Sequence, residues 1–227
     1  MHRYFLIPMI GFFIIVCCFV IYLQFINEDW KFLVPKTPLP DSCDDNTDIE
    51  LITHDDDYIE GRSFKDRPDI INSSQIHAVF LLPCERVDRK FDVNLNIESS
   101  LLAINKWFLD KSNNQQLRFD LYEKNQIDVT FLRVNKTMDW FDNKKNKNNN
   151  KKIDISEKIK NIIFLNKDKF NNFDNKKFII FFEGWEKRKS LFTTTCGRAR
   201  FNGQVSIFYT NNKYLKTGSC IDLDIEK

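Results

Sequence analysis

Two kinds of side chain in this 227-residue sequence could supply a nucleophile and its base, the thiols of six cysteines and the rings of three histidines. Cys84 or Cys196 combined with His77 would make a Cys–His pair, in which the imidazole activates the thiol. His77 lies in an aliphatic run that predicts a buried strand, however, and both thiols are also disulfide candidates. The other histidines are His2 and His54, and neither H-E-x-x-H nor G-x-S-x-G occurs. The sequence therefore predicts no catalytic residue, no cofactor-binding residue and no metal ligand.

Four cysteines outside the apolar amino terminus form an even set, which is typical of disulfides in an oxidising compartment. They are Cys43, Cys84, Cys196 and Cys220, and four thiols allow three pairings. Cys196 and Cys220 flank a predicted strand and form the most local pair, with Cys43 and Cys84 as its companion. A zinc site is disfavoured because the sequence contains no C-x-x-C.

Carboxylates offer two further candidate sites. Asp120 and Asp128 lie on neighbouring predicted strands, where they could face each other as an acid–base pair. Arg118 and Arg133 lie beside them, so surface ion pairs are the expected use of these carboxylates. The run Asp55–Asp57 would need a glycine at the sixth loop position and a glutamate at the twelfth to bind calcium, and it has neither.

An apolar segment precedes all of these residues. Tyr4–Leu23 has about 20 positions without a charge, which is the length of a helix that crosses a bilayer. Arg3 before it predicts a cytoplasmic amino terminus, so that 1–3 are a cytoplasmic tip, 4–24 a signal anchor and the rest extracytoplasmic. The alternative is a cleaved signal peptide and a secreted protein, although no small-residue cleavage site follows the run.

Charge and composition predict how the exported part is organised. The net charge of +2 argues against a nucleic-acid partner, and the Asn/Lys-only run Asn143–Lys152 is interpreted as a solvated surface loop. Residues 25–74 are expected to form a stalk, because Asp41–Glu60 holds nine acidic residues and no Lys or Arg. The folded domain is then expected over 75–227.

Hydrophobic periodicity in that domain alternates between the patterns of strands and helices. Asn96 is expected to cap one helix, with apolar residues at helical spacing at Ile97, Leu101, Ile104 and Phe108. Asp154 is expected to begin a second helix that carries four isoleucines. These elements predict an α/β or α+β fold, with a mixed sheet of about five strands and two packed helices behind one transmembrane helix. The predicted strands are Ile76–Leu82, Leu117–Tyr122, a run from Ile127 to Leu132, Phe178–Phe182 and Val205–Tyr209. The last of these is predicted to be an edge strand, where Val205, Ile207 and Tyr209 could bind a peptide.

Short motifs over residues 75–220 resemble a family of exported bacterial proteins with a zincin-like metallopeptidase fold. They are His77-Ala-Val-Phe-Leu-Leu-Pro83, Asp88-Arg89, a helix with Trp107, Leu117-Arg-Phe-Asp120, Asp128-Val-Thr-Phe-Leu-Arg133, Cys196-Gly197 and Cys220.

The resemblance implies a mixed sheet whose edge strand lines a substrate cleft, and a helix with H-E-x-x-H that binds Zn²⁺. The sequence reaches Lys227 without that motif, so no ligand role is carried over and zinc is expected only if a further segment exists. We expect a membrane-anchored, non-catalytic binding or structural module with a peptide or protein partner. The alternative is part of an exported zinc-dependent peptidase whose metal ligands lie outside this chain.

Overall fold

A computed structural model describes residues 41–142, 154–184, 197–199 and 203–210. The predicted membrane segment Tyr4–Leu23 lies outside these residues, as do Cys196 and Cys220. Within the described part, no helix combines the length and the apolar character that a membrane crossing requires.

The described residues have an α+β fold with two sheets. A six-stranded mixed sheet has the order β1-β5-β2-β6-β8-β7, and β3 and β4 form a separate antiparallel pair. The four inner strands of the large sheet run parallel, and both outer strands are antiparallel to their neighbours. The strands are β1 Leu51–Ile52, β2 Gln75–Pro83, β3 Leu121–Tyr122, β4 Gln126–Ile127, β5 Val129–Val134, β6 Lys176–Phe182, β7 Gly197–Ala199 and β8 Val205–Tyr209.

Strand β2 is the centre of the large sheet. It pairs in parallel with β5 on one side and with β6 on the other. Its aliphatic run is fully buried, with Val79, Phe80 and Leu81 all at 0% exposure. The sequence-based prediction of a strand covered on both faces is confirmed, because a parallel strand between two helical layers needs apolar residues at every position.

Helices cover both faces of this sheet. Helix α1, Asn96–Lys111, buries Ile97 and Leu101 in the hydrophobic cluster on one face. Helix α3, Ile155–Leu165, buries Ile159 and Ile163 in the cluster on the other face, together with the short helix α2, Met138–Asp142. Asp154 caps α3 by accepting a hydrogen bond from the Ser156 amide, as its sequence position predicts. The predicted cap at Asn96 is wrong, because Asn96 is the first residue of α1 and Leu95 occupies the cap position without a side-chain hydrogen bond.

The predicted hairpin before β5 exists in a shorter form. The two-residue strands β3 and β4 are joined by a 3₁₀ turn at Glu123–Asn125. Upstream of them, Phe119 makes an isolated parallel bridge to Ile76 beside the start of β2. The predicted strand Leu117–Tyr122 is therefore divided between this bridge and β3.

The prediction that Val205–Tyr209 is an edge strand is wrong. This strand, β8, pairs with β6 on one side and with β7 on the other, so both of its backbone edges are in use. Ile207 and Tyr209 are buried as a result, while Val205 is partly buried. In the part of the chain that the structure describes, the outermost strand at this end of the sheet is β7.

Residues 41–74, for which the composition predicts a solvated stalk, instead pack against the sheet. Strand β1 pairs with the end of β5, and a disulfide joins Cys43 to Cys84. The acidic side chains find cations on the sheet: Asp57 is fully buried against Arg133, and Asp66 is bound by Lys176. The described fold therefore begins well before residue 75.

Removing this disulfide should lower the stability of the fold. The two cysteines are 41 positions apart, and closing a loop of that length is worth about 2–4 kcal/mol in the chain-entropy view. We expect the double variant Cys43→Ala/Cys84→Ala to lose that free energy of unfolding in a denaturant titration without reductant. Peptide mapping of the unreduced wild type should yield the Cys43–Cys84 cross-link, and finding both thiols free would contradict the assignment.

Candidate functional site

A buried charge cluster lies where the central strands begin. Its members are contributed by the segment before β2, by β2 itself, by the residues around β3 and β4, and by β6. All of its carboxylates lie at or below 6% side-chain exposure. We define this buried charge cluster as Asp66, Arg67, Asp69, His77, Asp120, Asp128 and Lys176.

Local structure explains how these residues meet. Lys176 is the first residue of β6, and His77 lies near the start of β2, where the two strands are paired in parallel. Asp120 is held beside β2 by its own amide, which donates to the Ile76 carbonyl at 2.8 Å. Asp66 reaches the same point because its amide donates to the Lys169 carbonyl at 2.9 Å.

Lys176 is the internal cation of the cluster. Its Nζ donates to Asp69 Oδ1 at 2.7 Å, to Asp120 Oδ2 at 2.5 Å and to Asp66 Oδ2. Burial by itself would lower the pKa of Lys176, but the hydrogen bonds to three carboxylates outweigh it and raise the pKa above its usual value. The ammonium is therefore charged at neutral pH.

His77 links two neighbours in an arrangement that looks like a catalytic triad. Its Nδ1 is 2.7 Å from Asp120 Oδ2, and its Nε2 is 2.9 Å from Thr130 Oγ1. Burial raises the pKa of Asp120, yet hydrogen bonds from His77 and Lys176 lower it more, so the carboxylate is ionised and Nδ1 donates to it. The acid–base–hydroxyl order is that of a serine hydrolase.

Access decides against nucleophilic catalysis at this triad. His77, Asp120 and Thr130 are all at 0% exposure, and Thr130 Oγ1 points into the sheet interior toward the imidazole. A nucleophile has to reach an acyl carbon from the substrate side, with oxyanion donors about 3 Å from the reacting atom. The Asp120–His77–Thr130 chain is therefore a buried hydrogen-bond relay.

Two carboxylate oxygens in the cluster have no hydrogen-bond partner, Asp66 Oδ1 and Asp120 Oδ1. Burial raises the pKa of Asp66 to about 6, against the opposing influence of His77 and Lys176, and the charge of Asp120 adds to the rise. Buried polar atoms in native proteins are almost always paired. These two oxygens therefore need a further partner.

A second group of charges lies at the opposite, carboxyl end of the parallel strands. Arg133 donates to Asp57 through Nε at 2.8 Å and through Nη2 at 2.6 Å. Arg62 forms a similar bond to Asp92, with both distances at 2.7 Å, and reaches Asp88 at 2.6 Å. These fully engaged pairs fix the loop after β2 against the segment before it.

An open cavity of about 490 Å³ lies beside these pairs. In open α/β sheets, ligands bind at the carboxyl ends of the strands, which makes this a candidate binding site by position. Its lining carries both signs of charge, with Glu85 and Asp88 as well as Lys90 and Arg133, and it also includes His54. Burial lowers the pKa of His54, and the Arg133 charge lowers it further. The mixed charge selects no single class of ligand.

The fold brings together some of the candidate site residues from the sequence analysis and separates others. Asp120 and Asp128 do lie in one cluster, but the expected surface pairs with Arg118 and Arg133 are wrong. Asp128 is bound by Arg67 at 2.6 Å, and Asp120 by His77 and Lys176. Arg118 donates instead to Ser73, and Arg133 to Asp57. Cys84 is in a disulfide and cannot serve a nucleophile pair with His77.

Sequence reasoning missed Asp66, Arg67, Asp69 and Lys176 as members of the buried charge cluster, and Thr130 as the hydroxyl beside His77. Lys176 carries a weak signal, because a charged residue opens a strand that is otherwise apolar. Asp66 carries no such signal, because its partners Lys176 and Asn171 lie 110 and 105 positions away in the sequence.

Comparison with known proteins gives no relative from which a role could be transferred. No protein-family model, no curated protein and no solved structure matches this chain. The function has to be argued from the geometry.

Proposed function

We propose that this protein is a membrane-anchored, extracytoplasmic binding module without catalytic activity of its own, related to the zincin-like proteins that its sequence resembles. The module presents the outer strand β7 to an extended segment of a peptide or protein partner. The observation that carries the proposal is that β7 is the outermost strand at one end of the large sheet, within the part of the chain that the structure describes.

Export is supported by the disulfide. Cys43 and Cys84 are joined in the structure, and disulfides persist in oxidising compartments such as the periplasm or the cell surface. The uncharged run Tyr4–Leu23 before the domain supplies the anchor in this proposal. Both features support an extracytoplasmic location for the folded domain.

Partner binding is supported by the geometry of the sheet end. The backbone groups of an outer strand that face away from the sheet form a template for a further strand, and peptides bind many proteins in this way. Arg198 in β7 forms an ion pair with Asp154 at 2.6 Å, which ties the strand to the start of α3. A mixed sheet with such an outer strand is also what the zincin resemblance implies.

The absence of catalysis is supported by the site chemistry. Among the described residues, the acid–base–hydroxyl group at His77 is sealed in the interior, and Cys84 is oxidised. At the carboxyl end of the sheet, Arg133 is bound to Asp57, and Arg62 is bound to Asp88 and Asp92, so these charges serve ion pairs within the fold. We therefore expect the full-length chain to leave quenched-fluorescence peptide substrates uncleaved.

A lysine on β7 should weaken peptide binding. A phage-displayed peptide library selected against the full-length chain in detergent should yield binding peptides. A lysine on an outer strand disfavours pairing with a further strand, so Ala199→Lys should weaken those peptides by about tenfold or more. Ala103→Lys makes the same change at an exposed position on helix α1 and should leave binding unaltered.

Two results would contradict the proposal. Peptides that bind equally well to the wild type and to Ala199→Lys would remove β7 from the interface. Cleavage of the selected peptides by the wild-type chain would instead favour the alternative of an exported peptidase.

A further inference from the structure

We propose that Asp66, His77 and Asp120 form a buried structural site for one divalent transition-metal ion of the Zn²⁺ class. The inference goes beyond the proposed function, because a peptide-binding sheet edge requires no metal. It rests on the placement of donor atoms and on the charge of the cluster.

The donor atoms are grouped as ligands would be. Asp66, His77, Asp120 and Asp128 each place one potential ligand atom so that all four atoms lie within 4.8 Å of one another. His77 Nδ1 is 3.7 Å from Asp66 Oδ1 and 2.7 Å from Asp120 Oδ2. The distance from Nδ1 to Asp66 Oδ1 is close to the separation of two ligand atoms that bind one tetrahedral zinc ion at about 2.0–2.2 Å, and the shorter contact to Asp120 Oδ2 is a hydrogen bond that the ion would replace.

The unpaired oxygens identify which atoms would bind. Asp66 Oδ1 and Asp120 Oδ1 have no hydrogen-bond partner, and both side chains are at or below 1% exposure. Their other oxygens are held by Lys176, and Asp66 Oδ2 also accepts from the Asn171 amide at 2.7 Å. Each carboxylate thus has one oxygen fixed by the protein and one free for an ion.

Asp128 is excluded as a ligand by the same test. Its Oδ1 accepts from Arg67 Nη1 at 2.6 Å, and its Oδ2 accepts from the Arg67 amide at 2.7 Å. Both of its oxygens therefore have partners, although it belongs to the cluster. This makes Asp128 a matched control for the two aspartates that would bind the ion.

His77 has the outer contact that a metal-bound histidine needs. In metal sites, the ring nitrogen that is not bound to the ion usually donates to a nearby oxygen, which fixes the tautomer and the ring orientation. Here Nε2 is 2.9 Å from Thr130 Oγ1. In the ion-bound form the ring proton would lie on Nε2 and be donated to Thr130, so that Nδ1 would bind the ion in place of its hydrogen bond to Asp120.

The charge of the cluster favours a dication. Four carboxylates, those of Asp66, Asp69, Asp120 and Asp128, face the two cations Arg67 and Lys176. Apart from His77, these side chains carry two more negative than positive charges, and the carboxylates are almost entirely shielded from water. Uncompensated buried charge is costly, and one divalent ion neutralises this excess.

The donor set selects the class of metal. One imidazole and two carboxylates suit Zn²⁺ and its first-row neighbours, whereas Ca²⁺ takes six to eight oxygen ligands. Asp66, His77 and Asp120 are buried, so the ion would cross-link the segment before β2 to the start of the sheet. Three protein ligands are the usual number in catalytic zinc sites, but the burial of this one leaves no access for a substrate, so the role of the ion would be structural, unlike that of the catalytic zinc of the resembled family.

The first experiment measures binding of Zn²⁺ to the wild-type chain. The full-length protein in detergent, alkylated so that free thiols cannot bind zinc, is stripped with EDTA and titrated with Zn²⁺ against a chromophoric chelator. We expect one ion per chain. At free Zn²⁺ about 100 times the dissociation constant, the melting temperature should rise by about 5–10 °C. The Co²⁺ form should show the visible absorption of a site with a nitrogen ligand.

The second experiment compares aspartates that carry equal charge. Asp66→Asn removes a ligand oxygen and should weaken Zn²⁺ binding by more than about 100-fold, while Thr130→Val removes the outer contact and should weaken it by about 10–100-fold. Asp128→Asn makes the same charge change in the same cluster, and its affinity should stay within about tenfold of the wild type.

Three outcomes would overturn the inference. The first is a wild-type chain that binds less than a tenth of a Zn²⁺ ion. The second is an equal loss of Zn²⁺ affinity in Asp66→Asn and Asp128→Asn, and the third is a Co²⁺ spectrum without the absorption expected of a site with a nitrogen ligand. The wild-type titration and the Co²⁺ spectrum decide the question even if a variant does not fold. Peptide binding at β7 is measured separately, so failure of the metal site leaves the proposed function standing, and the reverse also holds.

Discussion

Lys176→Met is expected to remove about 3–5 kcal/mol from the free energy of unfolding, the loss found when one partner of a buried ionic group is deleted. Methionine fills a similar volume but leaves Asp66, Asp69 and Asp120 without the ammonium that binds all three. A small domain has about 5–15 kcal/mol of stability in total, so the variant should lose a large share of it.

The neighbouring lysine provides the control for this experiment. Lys177 follows Lys176 in the same strand, and its side chain is exposed on the opposite side. Lys177→Met makes the same chemical change and should alter stability by less than about 0.5 kcal/mol. Denaturant titrations of both variants with EDTA present measure the difference. Equal stability of the two variants would show that the carboxylates do not need Lys176.

Asp57→Asn should have an effect of similar origin at the other end of the sheet. The substitution keeps the shape of the side chain but removes the charge that pairs with Arg133, whose side chain is 3% exposed. Asp57 also accepts a hydrogen bond from the His54 amide at 2.9 Å. We expect a loss of about 3 kcal/mol or more. Asp56→Asn, in the exposed residue directly before it, should cost less than about 0.5 kcal/mol.

The pH dependence of this pair gives a second readout. Burial raises the pKa of Asp57, but hydrogen bonds from Arg133 and the His54 amide outweigh it, so the pKa lies below its ordinary value of 3.8. A depressed carboxyl pKa stabilises the fold above the ordinary pKa, and this contribution is lost as the pH falls through the lower, folded value. The stability gap between the wild type and Asp57→Asn should therefore narrow below about pH 4. A gap independent of pH would contradict the charge-based explanation.

The elements that could be predicted from the sequence are those with a strong local pattern. The continuous apolar run of β2, the apolar part of β6 and the capped helix after Asp154 all appear as expected. Strand β7 was missed because a three-residue strand containing Gly197 and Arg198 has no hydrophobic pattern. Without β7, the adjacent strand β8 looks like the end of the sheet.

The candidate site could not be predicted because its contacts are long-range. The acidic run Asp41–Glu60 contains no Lys or Arg and therefore has the composition of a solvated linker. Nothing within the run indicates that its carboxylates pair with cations far away in the sequence. Asp57 finds Arg133 across 76 positions, and Asp66 finds Lys176 across 110. Local periodicity contains no information about such pairs, and a single sequence offers no co-variation to reveal them.

Residues 41–74 are synthesised early but meet their partners late. Strand β1 needs Val134, and Asp66 needs Lys176, so this segment stays in solvent while most of the domain is still being made. The unpaired acidic run keeps the nascent chain hydrated during that interval. A Cys43–Cys84 bond formed at this stage would close a short loop before the sheet exists, which lowers the entropic cost of docking the segment afterwards. An oxidant met early by the emerging chain would then speed the last step of folding, and a reducing environment would slow it.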